Sequence, residues 1–74
     1  MNASAQAFID ALPKKKSLTP VELAGVFGKS DGRIIISEIQ RGRIAACQPG
    51  GQFFIAYDEA VRYIKSTEFN PQEA

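Results

Sequence analysis

Apolar residues recur with helical spacing in four segments of this chain. The first stripe consists of Ala5, Phe8, Ile9 and Leu12. Residues three and four apart lie on one face of a helix, so the stripe predicts a helix over residues 4–12. Ser4 is suited to cap its first turn. Pro13 stops it, because the proline ring cannot continue a helix.

The segment SLTPVELAGVFG carries the strongest helix-start signal of the chain. Thr19 suits the N-cap, and Pro20 suits the first helical position, where its missing N–H is not needed. Glu22 stands three residues after Thr19 and completes a capping box, while Leu18 and Leu23 have the spacing of a hydrophobic staple. We therefore expect a second helix of about two turns.

The next segment, GRIIISEIQRGRI, admits either a strand or a helix. A strand would mix apolar and polar side chains on both of its sides. A helix over 31–41 would have an inner face of Gly32, Ile35, Ile36 and Ile39. Its outer face would hold Ser30, Arg33, Ile34, Ser37 and Arg41. β-Branched residues cost a helix up to about 0.7 kcal/mol each, but this separation of faces favours the helix.

Glycines punctuate the chain around this third helix. Gly28 is a suitable stop for the second helix, and Gly42 for the third. Between them, GKSD forms a turn in which Ser30 or Asp31 can cap the third helix. Two short helices joined in this way predict a helix-turn-helix.

The second half of the chain predicts a β-hairpin and a last helix. Residues 44–47 lead into a PGG turn at 49–51, and residues 53–55 lead out of it. Asp58 begins a helix in which Asp58 and Glu59 favour the first turn. The expected fold is mainly α with a small β-hairpin. It divides into an N-terminal helix with a basic connector (1–16), a winged helix-turn-helix (17–66) and a tail (67–74).

Composition and charge narrow the classes of function. The chain has 74 residues and a net charge of +1, but residues 14–43 carry seven basic and three acidic side chains, which indicates a basic face. There is no His and one Cys, Cys47, so we expect no metal site, no cofactor and no enzymatic activity. GKS at 28–30 lacks the earlier glycine of a phosphate loop, because Leu23 stands there.

The cellular setting is also a prediction. The start MNASAQAFIDAL has no basic region before its apolar residues, so we expect neither a signal peptide nor a membrane partner. The single cysteine suits a reducing cytoplasm, and we expect Cys47 to be a small, packed strand residue. The aromatic residues Phe53 and Phe54 would alternate across the hairpin strand.

The order of these motifs resembles excisionase-type winged helix-turn-helix proteins of phages and mobile elements, which are related to the Cox, Xis and MerR types. The resemblance rests on SLTPVELAGVFGKSDGRIIISEIQRGRI…GGQFFIAYDEAVRYI, and it covers residues 17–64. In this chain Gly42 lies one residue further from Gly28 than in the family pattern. The register of the recognition helix therefore stays open by one position.

The resemblance implies a sequence-specific DNA-binding protein that acts as an excisionase (a recombination directionality factor), a transcriptional repressor, or both. Its partners would be double-stranded DNA, an integrase and further copies of the chain on DNA. Base edges would be contacted by Arg33, Ile34, Ser37 and Arg41. Phosphates or the minor groove would be contacted by Lys29, Ser30, Arg43, Gly50, Gly51 and Gln52. Outside the resemblance, the basic connector adds candidate phosphate contacts at Lys14, Lys15 and Lys16. The alternative is a small protein-interaction module or antirepressor that binds a protein through exposed Phe and Ile side chains.

Overall fold

The computed structural model describes residues 3–68 of the chain and the side chains of residues 5–68. The described part is mainly helical. Its helices are α1 (Ala3–Ala11), α2 (Pro20–Val26), α3 (Arg33–Gln40) and α4 (Tyr57–Ser66), and its strands are β1 (Ser17–Leu18) and β2 (Ile55–Ala56). The predicted Ser4 cap and the tail beyond Glu68 lie outside what the structure describes.

Helix α1 confirms the first apolar stripe. Ala5 and Leu12 are buried, and Ile9 packs against the same core. Phe8 is more exposed and meets Phe27 edge to face, with the ring centroids 5.1 Å apart. Because α1 packs against α4, the N-terminal helix shares one hydrophobic core with the rest of the chain.

Helix α2 begins as its capping signals predict. The Thr19 hydroxyl accepts a hydrogen bond from the Glu22 N–H at 3.2 Å, and the Glu22 carboxylate accepts one from the Thr19 N–H at 3.0 Å. Together these bonds satisfy two N–H groups that a helix start otherwise leaves without partners. Leu18 and Leu23, the two staple residues, are fully buried.

Helix α3 confirms the helical interpretation of the triple-isoleucine segment. Ile35 is buried and Ile39 packs against the core, whereas Ile34 is 50% exposed. The helix is shorter than the predicted 31–41, because its N-cap is Gly32, which has no side chain to cap with. Asp31 instead accepts a hydrogen bond from the Arg33 N–H at 3.0 Å, just before the first turn.

Left-handed glycines end both central helices. Gly28 follows α2 with φ 78° and Gly42 follows α3 with φ 79°, a conformation that costs other residues energy. In each case the next N–H bonds back five residues, from Lys29 to Ala24 and from Arg43 to Glu38. This is the Schellman arrangement, which satisfies the last carbonyls of a helix.

The predicted hairpin is present in a shortened form. The turn at Pro49–Gly51 lies where it was predicted, and Cys47 pairs with Phe54. The lead-in residues 44–46 do not pair, contrary to the prediction. Instead, β2 pairs antiparallel with β1, which the sequence did not indicate. The expectation of a packed Cys47 is also wrong, since this residue is exposed, while Phe53 and Phe54 are both half-buried.

Helix α4 closes the core. It begins at Tyr57, one residue before the predicted start, with Asp58 and Glu59 in its first turn. The fully buried large side chains come from six different parts of the chain: Leu18, Leu23, Ile35, Ile44, Ile55 and Ile64. Burying each contributes about 1.5–3 kcal/mol, so β1, α2, α3, the segment after α3, β2 and α4 stabilise one another.

Candidate nucleic-acid interface

The position of α3 is fixed by a close contact at its start. A Cβ added to Gly32 would lie 2.9 Å from the Pro20 Cβ, so the start of α3 lies directly against the start of α2. Ile35 anchors the same side of the helix in the core. The opposite side of α3 therefore faces away from the protein, as the sequence predicted.

Arg33 is the more exposed of the two charged side chains of α3, the other being Glu38. Its side chain is 89% exposed, and its guanidinium is 3.3 Å from Asp31. The backbone and side-chain hydrogen bonds from Arg33 hold the pKa of Asp31 below its ordinary value. A pair this exposed contributes little energy, so the guanidinium can exchange Asp31 for an external acceptor.

The middle of the predicted outer face is less exposed than expected. Ile34 is exposed, but Ser37 is half-buried. Helix geometry explains this, because residues four apart are neighbours and the short Ser37 side chain stands between the longer Arg33 and Arg41. Ile36, predicted for the inner face, is half-buried and lines a surface groove.

Arg41 and Arg43, which follow the end of α3, both lie near the carboxylate of Glu38. The Glu38 side chain lies 3.8 Å from Arg41 and 3.5 Å from Arg43, and Tyr63 donates a hydrogen bond to its other oxygen at 2.9 Å. Burial and this bond raise the pKa of Tyr63 to about 12. Arg41 and Arg43 were predicted as DNA contacts from the sequence, and no role was predicted for Glu38.

The turn at Pro49–Gly51 lies beside the start of α3. Gly50 and Gly51 adopt positive φ values of 65° and 85°, and the Gln48 amide donates to the Gly51 carbonyl at 3.2 Å. Arg33, Gly51 and Gln52 line one open groove of about 440 Å³. The structure thus brings the predicted base-contacting arginine and the tip of the hairpin to the same place.

The basic connector occupies a different surface. Lys14, Lys15 and Lys16 line a groove with Tyr57, and the Lys14 ammonium is 6.0 Å from the centroid of that ring. Lys15 forms an ion pair with Glu22, which lowers the pKa of Glu22. These lysines do not line the groove at Arg33, and Lys29 and Ser30 are exposed in the turn between α2 and α3.

Two side chains of α4, which the sequence pattern did not indicate, hold the segment between α3 and the hairpin. Glu59 accepts a hydrogen bond from the Ala45 N–H at 2.9 Å, and Arg62 donates to the Arg43 carbonyl at 2.7 Å. The two side chains also pair with each other at 2.7 Å. The bonds to Arg62 and Ala45 lower the pKa of Glu59. We name this arrangement the Glu59–Arg62 brace.

Comparisons with protein-family models, characterised proteins and solved structures found no match to this chain. Between residues 3 and 68, none of the helices has the length and apolar content needed to cross a lipid bilayer. The candidate surface consists of an exposed arginine on a short helix with a glycine turn beside it.

Proposed function

We propose that this chain is a winged helix-turn-helix protein that binds double-stranded DNA, with α3 in the major groove and the Pro49–Gly51 turn as the wing. Its role would be that of an excisionase-type factor, a transcriptional repressor, or both, in a phage or mobile element. The proposed role rests on the family resemblance of the sequence, whereas the proposed DNA binding is also supported by the geometry of α3 and the turn.

The observation that carries the proposal is the place of Arg33. It lies in the first turn of an outward-facing helix, and recognition helices present their N-terminal residues to base edges. An α-helix with its side chains is about 10–12 Å across, which fits the roughly 12 Å width of the major groove. An arginine there can bond guanine in bidentate fashion, and the exposed Ile34 can contact a thymine methyl group.

The surroundings of Arg33 suit the same partner. Gly51 and Gln52 line the groove next to it, so a wing and a recognition helix would meet one stretch of duplex. Lys29 and Arg43, at the two ends of the helix region, are exposed and would contact phosphates. Phosphate contacts position a protein on DNA, and base contacts select the sequence.

The proposal is tested by selecting DNA duplexes that bind the chain from a random library. The affinity for the selected site is then measured as a function of salt concentration. Phosphate binding should weaken steeply with salt, by a slope in log K of about −0.9 per phosphate contact. The full-length chain should enrich one motif and show this dependence. Failure to enrich any motif, combined with no salt-dependent binding of duplex DNA, would refute the proposal and favour a protein partner.

A further inference from the structure

Glu38 carries a charge whose place on α3 needs an explanation. The residue stands near the C-terminal end of the helix, where the helix dipole disfavours a negative charge. Its side chain is only 12% exposed. A neutral glutamine could accept the hydrogen bond of Tyr63 equally well, so the hydrogen bond alone does not account for a carboxylate.

The position of the carboxylate supplies the explanation. One oxygen is held by the Tyr63 hydroxyl at 2.9 Å. The other oxygen faces the guanidinium groups of Arg43 and Arg41, at 3.5 Å and 3.8 Å. Both arginine side chains are 63% exposed, so two exposed cations flank one largely buried anion.

We propose that Glu38 is a built-in competitor for DNA phosphate, which holds Arg41 and Arg43 until DNA takes them and so weakens binding to random duplexes. The inference rests on the proposed function, because it takes both arginines as DNA contacts. A phosphate approaching either guanidinium must replace the carboxylate or bind beside it against its repulsion. Binding to DNA of random sequence depends almost wholly on phosphate contacts. It should therefore be weakened more by this competition than binding to a specific site.

The variant Glu38→Gln tests the proposal, because it removes the charge and keeps an acceptor for Tyr63. Its binding to a fluorescein-labelled duplex of scrambled sequence is measured by anisotropy at two salt concentrations. Exposed ion pairs each shift an equilibrium about 1.5- to 5-fold. Releasing two arginines should therefore tighten binding about two- to 25-fold, with a salt slope steeper by about one phosphate contact.

The matched control is Asp58→Asn, which makes the same change in net charge. Asp58 is exposed in the first turn of α4 and forms no ion pair with any residue that the structure describes. We expect less than about a twofold change, because salt screens distant charges. In a chain that also carries Arg41→Gln and Arg43→Gln, Glu38→Gln should have no larger effect than this control.

The outcomes separate this inference from the proposed function. If the wild-type chain binds the duplex but Glu38→Gln and Asp58→Asn behave alike, the competitor proposal is overturned and DNA binding stands. If the wild-type chain binds no DNA, both are overturned. Should Glu38→Gln not fold, Arg43→Gln is compared with Lys29→Gln. A held arginine should matter less than Lys29, and an equal or larger loss for Arg43→Gln overturns the proposal.

Discussion

Gly32 lies so close to Pro20 that a methyl group on its Cα would be 2.9 Å from the proline Cβ and 3.0 Å from the proline carbonyl carbon. Both distances are shorter than packed carbon atoms tolerate, and the proline carbonyl carbon belongs to the backbone, which cannot easily move aside. The two helix starts can therefore meet in this way only while residue 32 is a glycine. The backbone of Gly32 itself is not left-handed, with φ −91°.

Gly32→Ala should consequently destabilise the fold by about 1–3 kcal/mol through overpacking. The control is Gly25→Ala, since Gly25 lies within α2 and an added Cβ there would meet no atom within 4 Å. That variant should be more stable by about 0.5–1 kcal/mol, because alanine loses less backbone freedom on folding. Urea unfolding of both variants provides the measurement, and equal midpoints would refute the packing argument.

The two faces of α3 should respond oppositely to charge. Ile35→Asp should unfold the domain, because it would bury an unpaired carboxylate. Ile34→Asp should leave the domain folded, since Ile34 is 50% exposed. Circular dichroism and proton NMR distinguish the two results. Unfolding by Ile34→Asp would show that this side of the helix is packed.

Helix α1 and Leu12, which directly follows it, should contribute to stability. Leu12 is buried at 2% exposure, so Leu12→Ala should cost about 2–5 kcal/mol from lost contacts and a cavity. The comparison is Phe8→Ala, which removes a 38% exposed ring and its edge-to-face contact with Phe27, and which should cost less. Thermal melts of both variants test this order, and a larger loss for Phe8→Ala would contradict it.

The Glu59–Arg62 brace should make stability depend on pH. The pKa of Glu59 is lowered in the folded chain from an ordinary value of 4.5. Its contribution is therefore complete above about pH 4.5 and is lost as the pH falls through the lower folded pKa. Urea midpoints measured from neutral to acidic pH should fall over this window, and less so in Glu59→Gln. A parallel fall in both proteins would assign the effect to other carboxylates.

Local signals in the sequence predicted most of the elements. The capping box of Thr19 and Glu22 is made within four residues, and Gly28 and Gly42 end their helices by their own conformational freedom. Such features depend on neighbours in the chain, so a pattern reveals them. The two faces of α3 follow from helix periodicity in the same way.

Contacts between distant residues were not predictable in this way. Glu59 reaches Ala45 across 14 positions and Arg62 reaches Arg43 across 19, and no local spacing encodes either bond. The pairing of β1 with β2 involves two residues on each side, too few for an alternating pattern to appear. The ion pairs of Glu38 with Arg41 and Arg43 span only three and five positions, but the sequence pattern predicted both arginines as DNA contacts and did not indicate these pairs.

The most direct test of the central claim, that α3 reads DNA sequence, is the ratio of affinities for a selected site and a scrambled duplex. It is measured for the wild-type chain, Arg33→Ala and Ser37→Ala at two salt concentrations. Arg33→Ala should cost about 1–3 kcal/mol on the selected site and much less on the scrambled one. Lys29→Ala should weaken both alike and flatten the salt dependence. If neither Arg33→Ala nor Ser37→Ala changes the ratio, α3 does not read sequence.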